Sequence, residues 1–139
     1  MMRELRRIVI HHSASDNPKH DDIEVIRKWH VDERGWSDVG YHYFIKSNGD
    51  LQYGRPLWKV GSHCRGANMD SIGICLHGDK IFSREQYAEL AQLCWQIQVL
   101  TEITDIKGHS FYDKKNKPNC PGFNVFAMIK HYVPDIKIT

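Results

Sequence analysis

The sequence predicts an α/β domain: a mixed sheet of about five strands with helices packed against it. Three observations carry this. Short β-branched apolar runs alternate with segments of helical periodicity, in the order strand, helix, hairpin, strand, helix, strand, helix. Helical crossovers join parallel strands, whereas the hairpin joins antiparallel ones. The chain of 139 residues is long enough for one domain with a real core, and its 41% hydrophobic and 26% charged content is that of a globular protein.

In chain order, residues 8–12 (Ile-Val-Ile-His-His) form the first strand. Residues 16–20 are polar, include Pro18, and read as a loop. Asp21 followed by Glu24 resembles a capping box, and Ile23, Ile26 and His30 share one face, so 22–33 reads as an amphipathic helix ended by Gly35. Residues 40–46 are aromatic and β-branched. Asn48-Gly49 makes a turn, and 50–54 returns as the second strand of a hairpin. Residues 55–70 are irregular and contain Trp58, His63, Cys64 and Arg65; a long loop in a compact domain is usually functional. Ser71 to His77 is a strand. Ser83 and Gln86 form a second capping box, opening a helix with apolar residues at helical spacing to about residue 101. Residues 104–108 form a short last strand, and 123–132 a terminal helix stopped before Pro134.

The bulk numbers exclude several functions. A net charge of +2 is too small to argue for nucleic acid, and no apolar run approaches a membrane span. Arginines at 3, 6 and 7 precede an apolar run far too short for a signal-peptide core, so the chain is expected to be cytoplasmic as synthesised. A monomer is expected. Cys64, Cys75, Cys94 and Cys120 form no C-x-x-C pair, which excludes a zinc ribbon or thioredoxin-like motif, and reduced thiols are the default. Cys75 and Cys94 read as buried small hydrophobes.

The chemistry concentrates at the chain's end. His109 closes an apolar run, and Cys120 follows eleven residues later across a polar loop with Lys114, Lys115 and Lys117. An imidazole and a thiolate suit Zn2+ better than magnesium or calcium. A third ligand is needed, and the first strand also ends in histidine. His11 and His12 face opposite sides of that strand, so one of them serves, and periodicity does not choose. If the two strands are parallel, both histidines lie at their C-terminal edge, where α/β sheets place ligands. Three ligands leave a fourth position open, the mark of a catalytic zinc. A structural zinc would need a fourth strong ligand; His42 alone is near Tyr41, and it should face away.

Five motifs then carry a resemblance: Ile-His-His-Ser-Ala-Ser at 10–15, Gly-Trp-Ser-Asp-Val-Gly-Tyr-His-Tyr-Phe-Ile at 35–45, Val-Gly-Ser-His-Cys-Arg-Gly at 60–66, Asn-Met-Asp-Ser-Ile-Gly-Ile at 68–74, and Gly-His with Cys-Pro-Gly-Phe between 108 and 123. The chain resembles the zinc N-acetylmuramoyl-L-alanine amidases of the amidase-2 class, which include amidase-type phage lysozymes and peptidoglycan recognition proteins. The match runs in order from about residue 8 to 132, and the short phage enzymes are the most similar. The resemblance implies metal ligands His11, His109 and Cys120, a catalytic Tyr41 and a groove residue His63. It departs at the family's catalytic lysine, expected two positions before the cysteine. Pro118 stands there, so Lys117 is the candidate, with Lys114 and Lys115 as alternatives. The implied reaction is hydrolysis of the amide between the muramyl lactyl group and L-alanine in peptidoglycan, acting on the wall after release. Trp58 and Arg65 would join His63 in the groove, offering stacking and a cation for stem carboxylates. The rival reading is a peptidoglycan-binding module without catalysis; such modules typically lack the ligand cysteine, and Cys120 is present.

Overall fold

A computed structural model describes residues 3–139. Five strands form one sheet in the order β3-β2-β4-β1-β5. They are β1 (Arg7–His12), β2 (Tyr43–Ile45), β3 (Leu51–Tyr53), β4 (Ser71–Leu76) and β5 (Asp105–Gly108). β1 lies parallel to both β4 and β5, β2 is parallel to β4, and the β2–β3 hairpin is antiparallel. The expected mixed sheet is the one observed.

β4 is central and buried along its whole length, because both faces of the sheet are covered. On one face Ile8, Ile10, Ile72, Ile74 and Ile106 pack under α2 (Arg84–Thr101) and α4 (Val125–Tyr132), meeting Leu90, Ile97 and Ile129. Truncating a fully buried residue such as Ile74 to alanine costs on the order of 2–5 kcal/mol. On the other face Val39, Phe44 and Cys75 pack against Ile23 and Ile26 of α1 (Ile23–Lys28), while Val9 meets Cys64 and Ala67 of the long loop. Alternation along β1 thus sends Ile8 and Ile10 to the α2/α4 face, and Val9 and His11 to the opposite one.

Local chemistry accounts for the element ends. Ser83 and Gln86 form the expected capping box at α2. At α1 the cap is Asp22, whose side chain accepts the Glu24 N–H at 2.9 Å. Asp21 instead accepts from the Ser47 N–H and hydroxyl, tying α1 to the hairpin turn. The anticipated helix 22–33 exists, but its second half, Trp29–Glu33, is wound as a π-turn; Ile23, Ile26 and His30 still form the buried face. Gly35 follows with φ of 72°. The hairpin strands are shorter than expected, and Gly40, where the first was expected to start, bonds outside the sheet: its N–H donates to His30 Nδ1 and its carbonyl accepts from Ser62 N–H. One helical turn, α3 (His109–Tyr112), stands where a loop was expected. Tertiary contacts hold it: the Tyr112 hydroxyl donates to Asp105, and the Arg7 guanidinium lies over the Tyr112 ring. The terminal helix begins at Val125, capped by Asn124.

The loop 55–70 is irregular yet pinned. The Arg55 guanidinium donates to the carbonyls of Val39, Val60 and Asp38, and Asn68 Oδ1 accepts the N–H groups of His63 and Cys64. Among the described residues, no helix is long and apolar enough to cross a membrane.

Candidate metal centre

Parallel pairing of β1 and β5 builds the centre. Ile10 stands opposite Gly108, so the next residue on each chain, His11 and His109, leave the sheet side by side. Their rings are 4.5 Å apart between centroids. Cys120 returns to the same edge because its carbonyl accepts the Ser110 N–H at 2.8 Å, closing the polar loop on α3. The ligand atoms of His11, His109 and Cys120 all lie within 4.8 Å of one another, and all three residues are buried.

This donor set fits zinc. Cys120 Sγ is 3.9 Å from His11 Nδ1. Two ligands on a tetrahedral zinc, with Zn–S near 2.3 Å and Zn–N near 2.1 Å, stand roughly 3.6 Å apart. Burial, then the neighbouring histidines, hold His11 neutral, and burial followed by Lys117 does the same for His109. Neutral imidazoles are the form that ligates metal. Burial pushes the Cys120 thiol up to about 11, against the downward pull of the His12 N–H and Lys117. Binding a metal there displaces the thiol proton. Among the described residues no fourth His, Cys, Asp or Glu joins the cluster.

His12 turns away. Its ring packs 6.4 Å from Phe82, with Nε2 3.9 Å from Asp79. His42 is also elsewhere: its Nδ1 accepts the Gly73 N–H and its Nε2 donates to Lys59 O.

The three residues sit in a cavity of about 730 Å³ that also takes in Tyr41, His63, Arg65 and Lys117. Tyr41 packs 5.1 Å from His11, its ring partly open to the cavity while its hydroxyl end is enclosed beside the Cys75 thiol. Burial, then the nearby thiols, raise its pKa far above 10, so it stays a protonated hydrogen-bond donor. Lys117 reaches the cavity, whereas Lys114 and Lys115 do not line it. Its backbone is set by Lys117 N–H donating to Asp113 O at 2.8 Å. Trp58 lies outside: its indole is 56% exposed, with Lys59 Nζ 5.3 Å from the ring centre.

Residues not singled out from the sequence complete the walls. Trp29, Arg34 and Trp36 line one side, and Asn116 stands beside Lys117. Arg34 lies 5.2 Å over the Trp36 ring. Trp36 lies within the motif Gly-Trp-Ser-Asp, which was a usable signal; Trp29 and Arg34 depend on the π-turn and carried none.

A parallel α/β edge with a His-His-Cys cluster defines a class, that of α/β domains with a candidate three-ligand metal site at one sheet edge. Comparison with known proteins gives the family. The sequence matches the amidase-2 family, N-acetylmuramoyl-L-alanine amidase, over residues 1–123, and the chain belongs to that family. It is 42% identical over 131 residues to the endolysin of Klebsiella phage KP32, covering 88% of this chain and 84% of that one. It is 28% identical over 140 residues to peptidoglycan-recognition protein 1 of Holotrichia diomphalia, covering 94% of this chain and 70% of the relative. Among solved structures, the endolysin N-acetylmuramoyl-L-alanine amidase LysCS from Clostridium intestinale superposes with a TM-score of 0.80 at 32% identity, over 95% of this chain and 85% of that one.

Proposed function

We propose that this protein is a zinc-dependent amidase that cleaves the bond between N-acetylmuramic acid and L-alanine in peptidoglycan, as an endolysin does. The observation that carries the reading is the buried His11-His109-Cys120 cluster at the floor of a cavity wide enough for a muramyl peptide. Zinc held there supplies Lewis acidity, activating water and polarising the scissile carbonyl near neutral pH.

The chain's own residues do the rest. Tyr41, protonated and against His11, donates a hydrogen bond toward the reacting oxygen. Lys117 brings an ammonium toward the carbonyl oxygen as negative charge develops on it. Arg65 offers a cation to the stem-peptide carboxylates from the rim. Asp113 is the one carboxylate among the described residues that line the cavity. Glycosidases need a facing pair of carboxylates, so the lining supports amide hydrolysis over glycan cleavage. Cys120 weighs against a binding module without catalysis, because such a module has no need of a buried thiol in the ligand set.

Purified peptidoglycan incubated with the zinc-loaded protein should gain free L-alanine amino termini without new reducing sugar ends. New reducing ends alone would overturn the amidase reading, and binding without any release would leave the recognition reading in its place.

A further inference from the structure

His63 was expected in the groove, and it does line the cavity, but both its ring nitrogens point to protein atoms. Its Nδ1 is 2.8 Å from His11 Nε2, and its Nε2 is 3.1 Å from the Ser71 hydroxyl. The other nitrogen of His11, Nδ1, is the one that faces Cys120 Sγ. A nitrogen that gives its lone pair to a metal carries no hydrogen, so the hydrogen of His11 sits on Nε2. That N–H donates to His63 Nδ1. His63 then carries its own hydrogen on Nε2 and donates it to Ser71 Oγ. One assignment of hydrogens serves both histidines.

The fold builds a seat for this ring. His63 is 8% exposed and meets His11 edge-on, with ring planes at 88° and centroids 4.9 Å apart. It lies directly on Gly73 of β4, where an added Cβ would be 2.5 Å from the ring; only glycine leaves the room. Asn68 fixes its backbone N–H from the other side. Ser71 is itself fully buried.

We propose that His63 is a positioning residue: it accepts the His11 Nε2–H and so holds His11 in the tautomer and orientation that present Nδ1 to the metal, with Ser71 anchoring the far end. The inference rests on the zinc reading of the same centre. Partners of this kind orient ligand histidines and raise their basicity, and losing one typically weakens metal binding about 10–100-fold.

The test uses the full chain and two readouts besides activity. Zinc affinity is measured by competition with a chromogenic chelator for the native protein, His63→Asn and His63→Leu. Nitrogen-15 NMR of the histidine rings in the metal-free native protein reports which nitrogen of His11 carries hydrogen. The native chain should bind zinc and show His11 protonated at Nε2. His63→Asn keeps an acceptor oxygen near the place of Nδ1 and should stay within about threefold of native affinity, whereas His63→Leu, folded by its melting curve, should lose about 10–100-fold. Native affinity in His63→Leu, an equal loss in both variants, or hydrogen on His11 Nδ1 in the native chain overturns the proposal. The NMR arm needs no variant, so it decides the matter even if His63→Leu does not fold. A native chain that binds no zinc would overturn the metal reading first, before any substitution is made.

Discussion

The floor and the rim of the cavity are built on different terms. At the floor, His11, His63, His109 and Cys120 are buried and placed by strand register and short internal bonds. At the rim, Arg34, Arg65, Asn116 and Lys117 are exposed and placed by helix ends and loops. A displaced floor residue has no room to compensate, whereas a solvated rim cation can reorient. Under the proposed function, the floor would set what reaction is possible, and the rim would set which wall fragment is held. Substitutions at the two levels should differ by orders of magnitude.

The largest effect belongs to the ligand set. Cys120→Ser should leave a folded chain with zinc lost on dialysis and amidase activity at background, as read by metal analysis and peptide release. His12→Ala, one residue from a ligand, should retain full zinc; equal losses in the two would contradict the facing assigned to β1. Next comes Tyr41→Phe. It removes the hydroxyl of the ring packed on His11 and should keep fold and zinc while the rate at saturating substrate falls on the order of 10²–10⁴-fold. Third is Lys117→Ala, at the rim residue proposed to act on the chemistry at the floor. As the one loop lysine that lines the cavity, it should cost about 10²-fold in kcat. Lys114→Ala and Lys115→Ala should lie within about 0.5 kcal/mol of native stability and leave the rate unchanged. A fully active Lys117→Ala would leave this lysine a solvated rim charge with no part in the chemistry.

The last effect is on stability against pH and leaves the cavity's chemistry aside. Burial, and secondarily the nearby cations of Arg3 and Arg55, lower the pKa of His42 from 6.5 to about 4, partly opposed by the Lys59 carbonyl. The unfolded chain binds the proton near 6.5 and the folded chain only near 4. Between those values the unfolded state holds more protons, so stability is complete above 6.5 and declines as pH falls toward 4. His42→Gln should flatten the fall of the melting temperature across that interval; an unchanged slope would remove His42 as its source.

The same division governs how much could be read beforehand. The floor was legible because strands ending in histidine and a trailing cysteine are local patterns, and because β1 alternates strictly. Alternation left His11 and His12 equivalent until packing showed Val9 and His11 on the face opposite α2. The His11–His63 bond was not legible, since it depends on where a pinned but irregular loop crosses Gly73. The rim was harder. Arg34 was not singled out, and Trp58 read as a groove aromatic, because neither local pattern records the π-turn or the path of the loop. Asp22 displaced Asp21 as the cap once Ser47 competed for the first aspartate.

Cys120 stands 109 residues from His11 along the chain. Contacts of that separation close late, because the entropy of joining distant segments is lost before any contact rewards it. β1 must already lie between β4 and β5 before the three ligands share one site. An ion held by these ligands would therefore enter a finished sheet and would not nucleate one. An interaction absent from the folding transition state leaves the folding rate alone and slows unfolding. Zinc would act in this molecule as a brake on unfolding, prolonging the life of a protein already folded.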